Sequence, residues 1–189
     1  EPRLGKPWAL NTGIEHARGA MLAFTDDDVV PTSTWLWGLW RCFTEERSDA
    51  VTGRVLPRWL GERPAWLTDE AFWAIGGMGC IDWGPRRLST REGHDCRWVG
   101  GNAAIRREVI DRLGGFDIRM LRGQDTEYYR RCEAHGLRMC YEPTALSFHK
   151  IPADRLSPAY FRRWRHRAGY FNAYTMPWKP TYLVTLMPL

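Results

Sequence analysis

Three aspartates in a row, Asp26-Asp27-Asp28, follow the short apolar run Met21-Leu-Ala-Phe-Thr25. Like charges packed this closely repel, so the cluster needs full solvation or a compensating cation. A divalent ion bridging carboxylate and diphosphate oxygens is one use for it. An acidic turn that caps the next helix is the other. A further carboxylate, Asp125, stands in Gly123-Gln-Asp-Thr-Glu127, directly ahead of a predicted helix. There it can cap the helix, with Glu127 favoured by the helix dipole, or take a proton from a substrate hydroxyl as a general base. The two roles do not exclude each other. His149 closes an apolar run over 145–148 with Lys150 beside it, and reads as a hydrogen-bonded structural residue or as a metal ligand. The stretch 162–167 carries Arg162, Arg163, Arg165, His166 and Arg167. It is a solvated helix face, or a seat for a phosphate or an anionic membrane surface.

These residues need elements to hold them. Leu10, Ile14 and Ala17 give a short helix over 8–20, closed by Gly19. The run 21–25 fits a buried parallel strand. Pro31 stops regular structure, and Thr32 or Ser33 then caps a helix with Leu36, Leu39, Trp40 and Phe43 at i, i+3, i+4, i+7. A strand over 50–56 ends at Pro57. Helix, strand, helix, strand is the alternation of an α/β sheet. It predicts a mostly parallel sheet with 21–25 central and Asp26–Asp28 at a strand's carboxyl end, where open α/β sheets bind ligands. Residues 58–97 break this rhythm with Gly, Pro, Trp and charge, including Gly76-Gly-Met-Gly79. A long irregular segment of this kind is a lid or binding loop. Strand character resumes over 97–106, and a short helix over 107–113 ends at Gly114-Gly115. A helix over 125–135 turns Tyr128, Tyr129 and Cys132 inward and stops at Gly136. Strands over 137–141 and 145–148 and a very basic helix over 157–169 complete the pattern.

Composition narrows the class. The 189 residues suit one domain or slightly more. Hydrophobic residues at 44% and charged residues at 26% exclude a disordered tail and a collagen-like fibre. No run approaches the roughly 20 apolar residues that span a bilayer. A formal net charge of +5 is too small to signal nucleic-acid binding by itself. Five cysteines, an odd number with no C-x-x-C pair, argue against a disulfide framework or a zinc ribbon and for the cytosol. Several of the eleven tryptophans, Trp59, Trp66, Trp73, Trp83 and Trp178 among them, fall outside any core period, so some are expected to line a binding surface. The chain opens on Glu1 in what reads as a loop already inside a domain.

In order, the blocks are Ala9-Leu-Asn11-Thr-Gly13-Ile14-Glu-His-Ala17-Arg-Gly19, Phe24-Thr-Asp26-Asp27-Asp28-Val-Val-Pro31, and Trp37-Gly38 with Phe43. Then come Val99-Gly100-Gly101-Asn102-Ala-Ala-Ile-Arg106-Arg107, Leu113-Gly-Gly-Phe-Asp117, Gly123-Gln-Asp125-Thr-Glu127 and Tyr141-Glu-Pro-Thr-Ala-Leu-Ser-Phe-His149. Together, over about residues 1–150, they resemble the family 2 glycosyltransferases of GT-A fold.

The resemblance implies a GT-A-like (Rossmann-like) α/β fold, a mostly parallel sheet flanked by helices, lacking the family's first βαβ unit. The catalytic domain would cover 1–150, with 58–97 on the acceptor side, and 151–189 would form a basic, aromatic helical extension. It implies transfer of a sugar, with inversion, from a nucleotide-sugar donor to a hydroxyl of a carbohydrate or lipid-linked acceptor, as in cell-envelope polysaccharide synthesis. The setting would be the cytoplasm or the inner face of the plasma membrane. Asp26 matches the residue near the donor ribose, and Asp28 the ligand of Mn²⁺ or Mg²⁺. His149 matches the histidine that completes the metal shell. Gly100, Gly101 and Asn102 match the loop beside the donor sugar, and Asp125 the catalytic base. Gln124 replaces the usual Glu, so the base survives without its helper carboxylate. The arginines of 162–167 could add a cation for the diphosphate.

The chemistry agrees with these roles. A sugar hydroxyl is a poor nucleophile until a carboxylate takes its proton, an effect of about 10²–10⁴-fold. A divalent ion and nearby cations stabilise the leaving diphosphate, and a mixed Asp/His shell suits Mn²⁺. Asp28 and His149 should then lie within about twice a metal–ligand bond of 2.0–2.3 Å. The alternative is a non-catalytic remnant that binds carbohydrate through the tryptophans of 58–98.

Overall fold

The computed structural model describes residues 2–120 and 122–175, with side chains as far as Gly169. The chain runs α1 (Lys6–His16), β1 (Met21–Thr25), β2 (Val29–Pro31), α2 (Trp35–Glu45) and β3 (Ala50–Trp59). It continues with α3 (Asp69–Ala74), β4 (Leu88–Ser89), β5 (Asn102–Arg106), α4 (Arg107–Leu113), α5 (Gln124–Ala134), β6 (Met139–Ile151) and α6 (Pro158–Thr175). Short 3₁₀ turns fall at Gly77–Gly79, Thr90–Glu92 and Ala153–Arg155. The class is mixed α/β, a central sheet with flanking helices.

The sheet departs from the expected parallel majority. Its order is β1-β5-β3-β6-β2, with β4 also on β6, and among the described residues only β3 and β6 pair in parallel. Because β5 is antiparallel to both β1 and β3, those two strands do run in the same direction, as the helix–strand alternation requires. They are not neighbours. A segment from residue 102 onward inserts between them, which reverses the ladders and leaves Met21–Thr25 at an edge of the described sheet rather than at its centre. The two strands expected over 137–141 and 145–148 are one 13-residue strand, β6, whose register against β3 shifts between Gly53 and Val55. Gly53 is required there, since a Cβ would lie 2.3 Å from both the Ala145 carbonyl oxygen and Asn102 Oδ1.

Helix α2 shows how tertiary packing chooses a face. The 3.6-residue period predicts Leu36 and Trp40 inward with Leu39 and Phe43. Instead Gly38, Leu39, Cys42 and Phe43 are buried, and Leu36, Trp37 and Trp40 are exposed. Trp37 and Trp40 stack on each other outside, with ring centroids 4.9 Å apart. The reason is Gly38: a Cβ there would lie 2.5 Å from the Ala145 backbone nitrogen, so the helix axis presses against β6 along its glycine. The cap falls on Thr34, without a side-chain hydrogen bond, rather than on Thr32 or Ser33. Gly38→Ala tests the contact. The overlap should outweigh the ~1 kcal/mol that Ala gains in a helix interior, for a net loss of about 1–2 kcal/mol. Thermal unfolding would read it as a Tm lower by several degrees, and a Tm at or above the parent's would show that the helix is free to shift.

Residues 58–97 are more ordered than their composition suggests. Strand β3 extends to Trp59, and Thr68 caps α3 by accepting from the Ala71 N–H at 3.2 Å. Leu67, Phe72 and Met78 are buried with Val55, Ile151, Leu156 and Phe161, so the segment packs against the start of α6. Of the tryptophans expected outside the core, Trp66 and Trp73 are exposed, Trp59 and Trp83 are partly buried against the two cores, and Trp178 lies outside the described residues. A larger core gathers Phe24, Trp98, Phe116 and Tyr128 beneath the sheet edge that carries the aspartates. All five cysteines are free and buried. No described helix is long and apolar enough to cross a membrane.

Candidate active site

The aspartates occupy the turn between β1 and β2, closed by the Val29 N–H donating to the Asp26 carbonyl at 3.1 Å. Strand β2 pairs with β6 so that Val29 faces His149, and the Lys150 N–H donates to the Asp28 carbonyl at 2.8 Å. This register brings together residues 121 positions apart: His149 Nε2 lies 3.2 Å from Asp28 Oδ2. His149 sits inside β6 rather than at its end. Arg155 Nη1 approaches the same oxygen at 3.3 Å. Burial alone would raise the Asp28 pKa, but the imidazole and the guanidinium outweigh it and hold the carboxyl below its usual range. The separation is short enough for both side chains to hold one ion. No group of three His, Cys, Asp or Glu suited to a metal occurs among the described residues. A Mn²⁺ or Mg²⁺ here would therefore draw its other ligands from phosphate oxygens and water, as Mg²⁺ does in nucleotide sites.

Asp26 pairs instead with Lys6 at the start of α1, Oδ1 to Nζ 2.5 Å. Two glycines border the carboxylates at ordinary contact distance. A Cβ on Gly101 would lie 3.4 Å from Asp26 Oδ2, and one on Gly100 would lie 3.6 Å from the Asp125 Cβ. Asn102, expected in the loop beside the donor sugar, turns its side chain into the protein interior. Its side chain is fully buried, with Oδ1 accepting from Trp35 Nε1 at 2.7 Å. Its amide nitrogen reaches the carbonyls of Arg54 and Ala145 and the Ser147 hydroxyl at 2.7–3.0 Å. The side chain ties β5, β3, β6 and α2 together directly behind the two glycines, so Asn102 anchors their loop and does not touch the cavity.

Asp125 is not the helix cap. Gly123, with φ 70°, takes that position, and Asp125 lies in the first turn of α5, where the dipole favours its charge. Its Oδ1 accepts from the Thr126 N–H at 2.8 Å and its Oδ2 faces the Gly100 N–H at 3.4 Å. Gln124 beside it is buried, and its Oε1 has no hydrogen-bond partner.

Asp26, Asp28, Asp125, His149 and Gly101 all line one cavity of 570 Å³, a size suited to a small-molecule ligand. Gly100 lines a small recess shared with Lys6, Gln124 and Asp125. The cavity's cations are Lys6, Arg122 and Arg155, and its far wall is Tyr160, Trp164 and Ala168 of α6 together with Met78. None of the arginines at 162–167 lines it; the arginine that reaches the aspartate turn is Arg155. Met78 holds φ 48° in a run of left-handed glycines, a conformation uncommon for a non-glycine residue. Lys6 and Arg155 carried no signal beyond a basic residue near a motif, and only the fold brings them to the aspartates.

Known proteins share parts of this sequence and this fold. A family model described as Glycosyl transferase family 2 matches residues 1–114, which include the aspartate turn and Gly100–Asn102 but stop short of Asp125 and His149. The pre-mycofactocin glycosyltransferase of Mycobacterium tuberculosis is 28% identical over 174 residues, covering 92% of this chain and 34% of that protein. The glucosyl-dolichyl phosphate glucuronosyltransferase of Haloferax volcanii is 27% identical over 147 residues, covering 74% and 43%. The chain thus spans less than half the length of these relatives. The fold is shared with the mannosyltransferase PcManGT from Pyrobaculum calidifontis, solved with GDP-Man and Mn²⁺, at TM-score 0.56 and 20% identity over 95% of this chain and 46% of that one. It is also shared with GalNAc-T7, solved with UDP, GalNAc and Mn²⁺, at TM-score 0.55 and 16% identity over 78% and 30%.

Proposed function

Because the chain belongs to glycosyl transferase family 2, we propose that it transfers a hexosyl unit, with inversion, from a nucleotide-diphosphate sugar to an acceptor hydroxyl. The acceptor is a carbohydrate or lipid-linked glycan of the kind used in cell-envelope polysaccharide assembly. One observation carries the reading: Asp26, Asp28 and His149 share a cavity with Asp125, although the aspartate turn and α5 lie about 100 residues apart.

In this mechanism the acceptor hydroxyl enters from the Trp164 side and donates its proton to Asp125 as its oxygen bonds the anomeric carbon. The bond from that carbon to the diphosphate oxygen breaks on the opposite face, and its electron pair leaves with the diphosphate. Asp26 and the Gly100–Gly101 backbone hold the donor, and the absence of side chains at the glycines permits close approach. Arg155 faces the charge that develops on the leaving group. Asp28 and His149 would hold Mn²⁺ or Mg²⁺, which supplies further neutralisation of that charge.

The test uses the full-length protein with a panel of UDP- and GDP-sugars, reading release of the nucleoside diphosphate. Transfer should stop with a chelator and return with Mn²⁺. Asp28→Asn and His149→Ala should each raise the half-saturating Mn²⁺ by on the order of 10-fold or more. Transfer that runs equally well without metal would overturn the metal assignment. Carbohydrate binding without release from any donor would favour the non-catalytic alternative.

A further inference from the structure

Charge is segregated along this chain. Residues 1–154 carry 21 Lys and Arg against 22 Asp and Glu, whereas residues 155–189 carry six Lys and Arg and no acidic residue. The entire positive excess therefore belongs to the end of the chain. Four of those six, Arg162, Arg163, Arg165 and Arg167, stand on α6 beside His166, and all five side chains are exposed. Arginines elsewhere pair readily, as Arg87 does with Glu45 and Glu142 and Arg138 with Asp49. The four on α6 have no acidic partner among the described residues. A cluster of one sign on one helix face repels itself, and an external anionic surface relieves that repulsion.

The opposite side of the same helix is committed. Phe161 is buried in the core with Val55 and Ile151, while Tyr160, Trp164 and Ala168 wall the cavity. Spacings of three and four residues place these on one stripe and leave Arg162, Arg163 and Arg167 on the other, with Arg165 at its margin, where its guanidinium lies near Gly76. The helix cannot roll to bring its charges inward without unpacking Phe161. Among the described residues its aromatic rings, Tyr160, Phe161 and Trp164, lie toward the body, so the described part of the basic face offers no stacking platform of the kind that single-stranded nucleic acid uses. A flat array of phosphates suits it better. The sequence beyond adds Tyr170, Phe171, Tyr174, Trp178 and Tyr182, and Tyr and Trp are the side chains enriched at bilayer interfaces.

We propose that the basic face of α6 docks this protein peripherally on an anionic phospholipid surface, so that the cavity walled by the helix's other side receives an acceptor carried in that bilayer. The surface contact stands on charge and exposure alone; the acceptor clause rests on the transferase reading. The leaflet potential attracts such a cluster over about a Debye length, so the contact is salt-sensitive.

The test is co-sedimentation of the full-length protein with vesicles of phosphatidylcholine alone and of phosphatidylcholine with one-third phosphatidylglycerol. Binding is expected only to the second, and high salt should release it. The variant R162Q/R163Q/R165Q/R167Q should lose on the order of 100-fold in apparent vesicle affinity, with unchanged thermal unfolding. Equal binding by the variant, binding that ignores salt or phosphatidylglycerol, or displacement of vesicles by an RNA oligonucleotide at equal charge would overturn the docking. Transfer to a water-soluble acceptor should be unaffected by the four substitutions, while transfer to a vesicle-embedded acceptor falls. Vesicle binding with no sugar transfer at all would support the surface contact and overturn the transferase reading instead.

Discussion

Asp125→Asn in the full-length protein should lower kcat by on the order of 10²-fold or more while leaving donor affinity nearly unchanged. The side chain keeps its shape and its place in the first turn of α5, but an amide cannot take the acceptor's proton. Asp125 does not cap the helix, because Gly123 does, so no capping hydrogen bond is lost. What is lost is the favourable interaction of a carboxylate with the helix dipole, about 0.3–1 kcal/mol. Donor titration, turnover with saturating acceptor and denaturant unfolding separate these quantities. An Asn variant that turns over at close to the parent rate would remove Asp125 as the base and move attention to the other carboxylates of the cavity. A variant that unfolds would show that the Gly100–Asp125 contact carries the fold as well as the chemistry.

The largest stability effect is expected at Asn102. In Asn102→Ala, the Trp35 indole N–H loses its acceptor, and the Ala145 and Arg54 carbonyls and the Ser147 hydroxyl lose their donor. Each buried polar group left without a partner costs roughly 1–3 kcal/mol, and the truncation opens a small void besides. The expected total is about 3–5 kcal/mol, read from the shift of the urea midpoint at constant slope. Donor KM should rise with it, because Gly100 and Gly101 immediately precede the lost anchor. Asn102→Asp keeps the volume and the acceptor but no longer donates, so it should also destabilise, by placing a carboxylate against two carbonyls. A loss below about 1 kcal/mol in the Ala variant would mean that water enters and repairs the network.

The setting of Asp125 between a glycine and a helix singles it out in the sequence, and the structure places it on the cavity; the cap falls two positions earlier, on Gly123. Asn102 was legible as important and misread in kind. A polar residue after two glycines looks like part of a binding loop, and nothing local says that a strand from residue 50, another from residue 139 and an indole from α2 will close around it. The same limit explains α2: its period was right, but Gly38 against Ala145 set which stripe faced inward.

What this sequence determined by itself was the existence of most elements and the family to which the chain belongs. Helical and strand periods repeat over a few residues, and Asp26, Asp28, Asp125 and His149 announce themselves by type and by the breaks that flank them. What only the tertiary structure decided was adjacency. β5 slides between β1 and β3, β2 brings Asp28 to His149, and Lys6 and Arg155 arrive at the aspartates from opposite ends of the chain. Those contacts depend on which distant backbones share hydrogen bonds, and strand pairing is set by the summed fit of side chains across the sheet rather than by any short stretch.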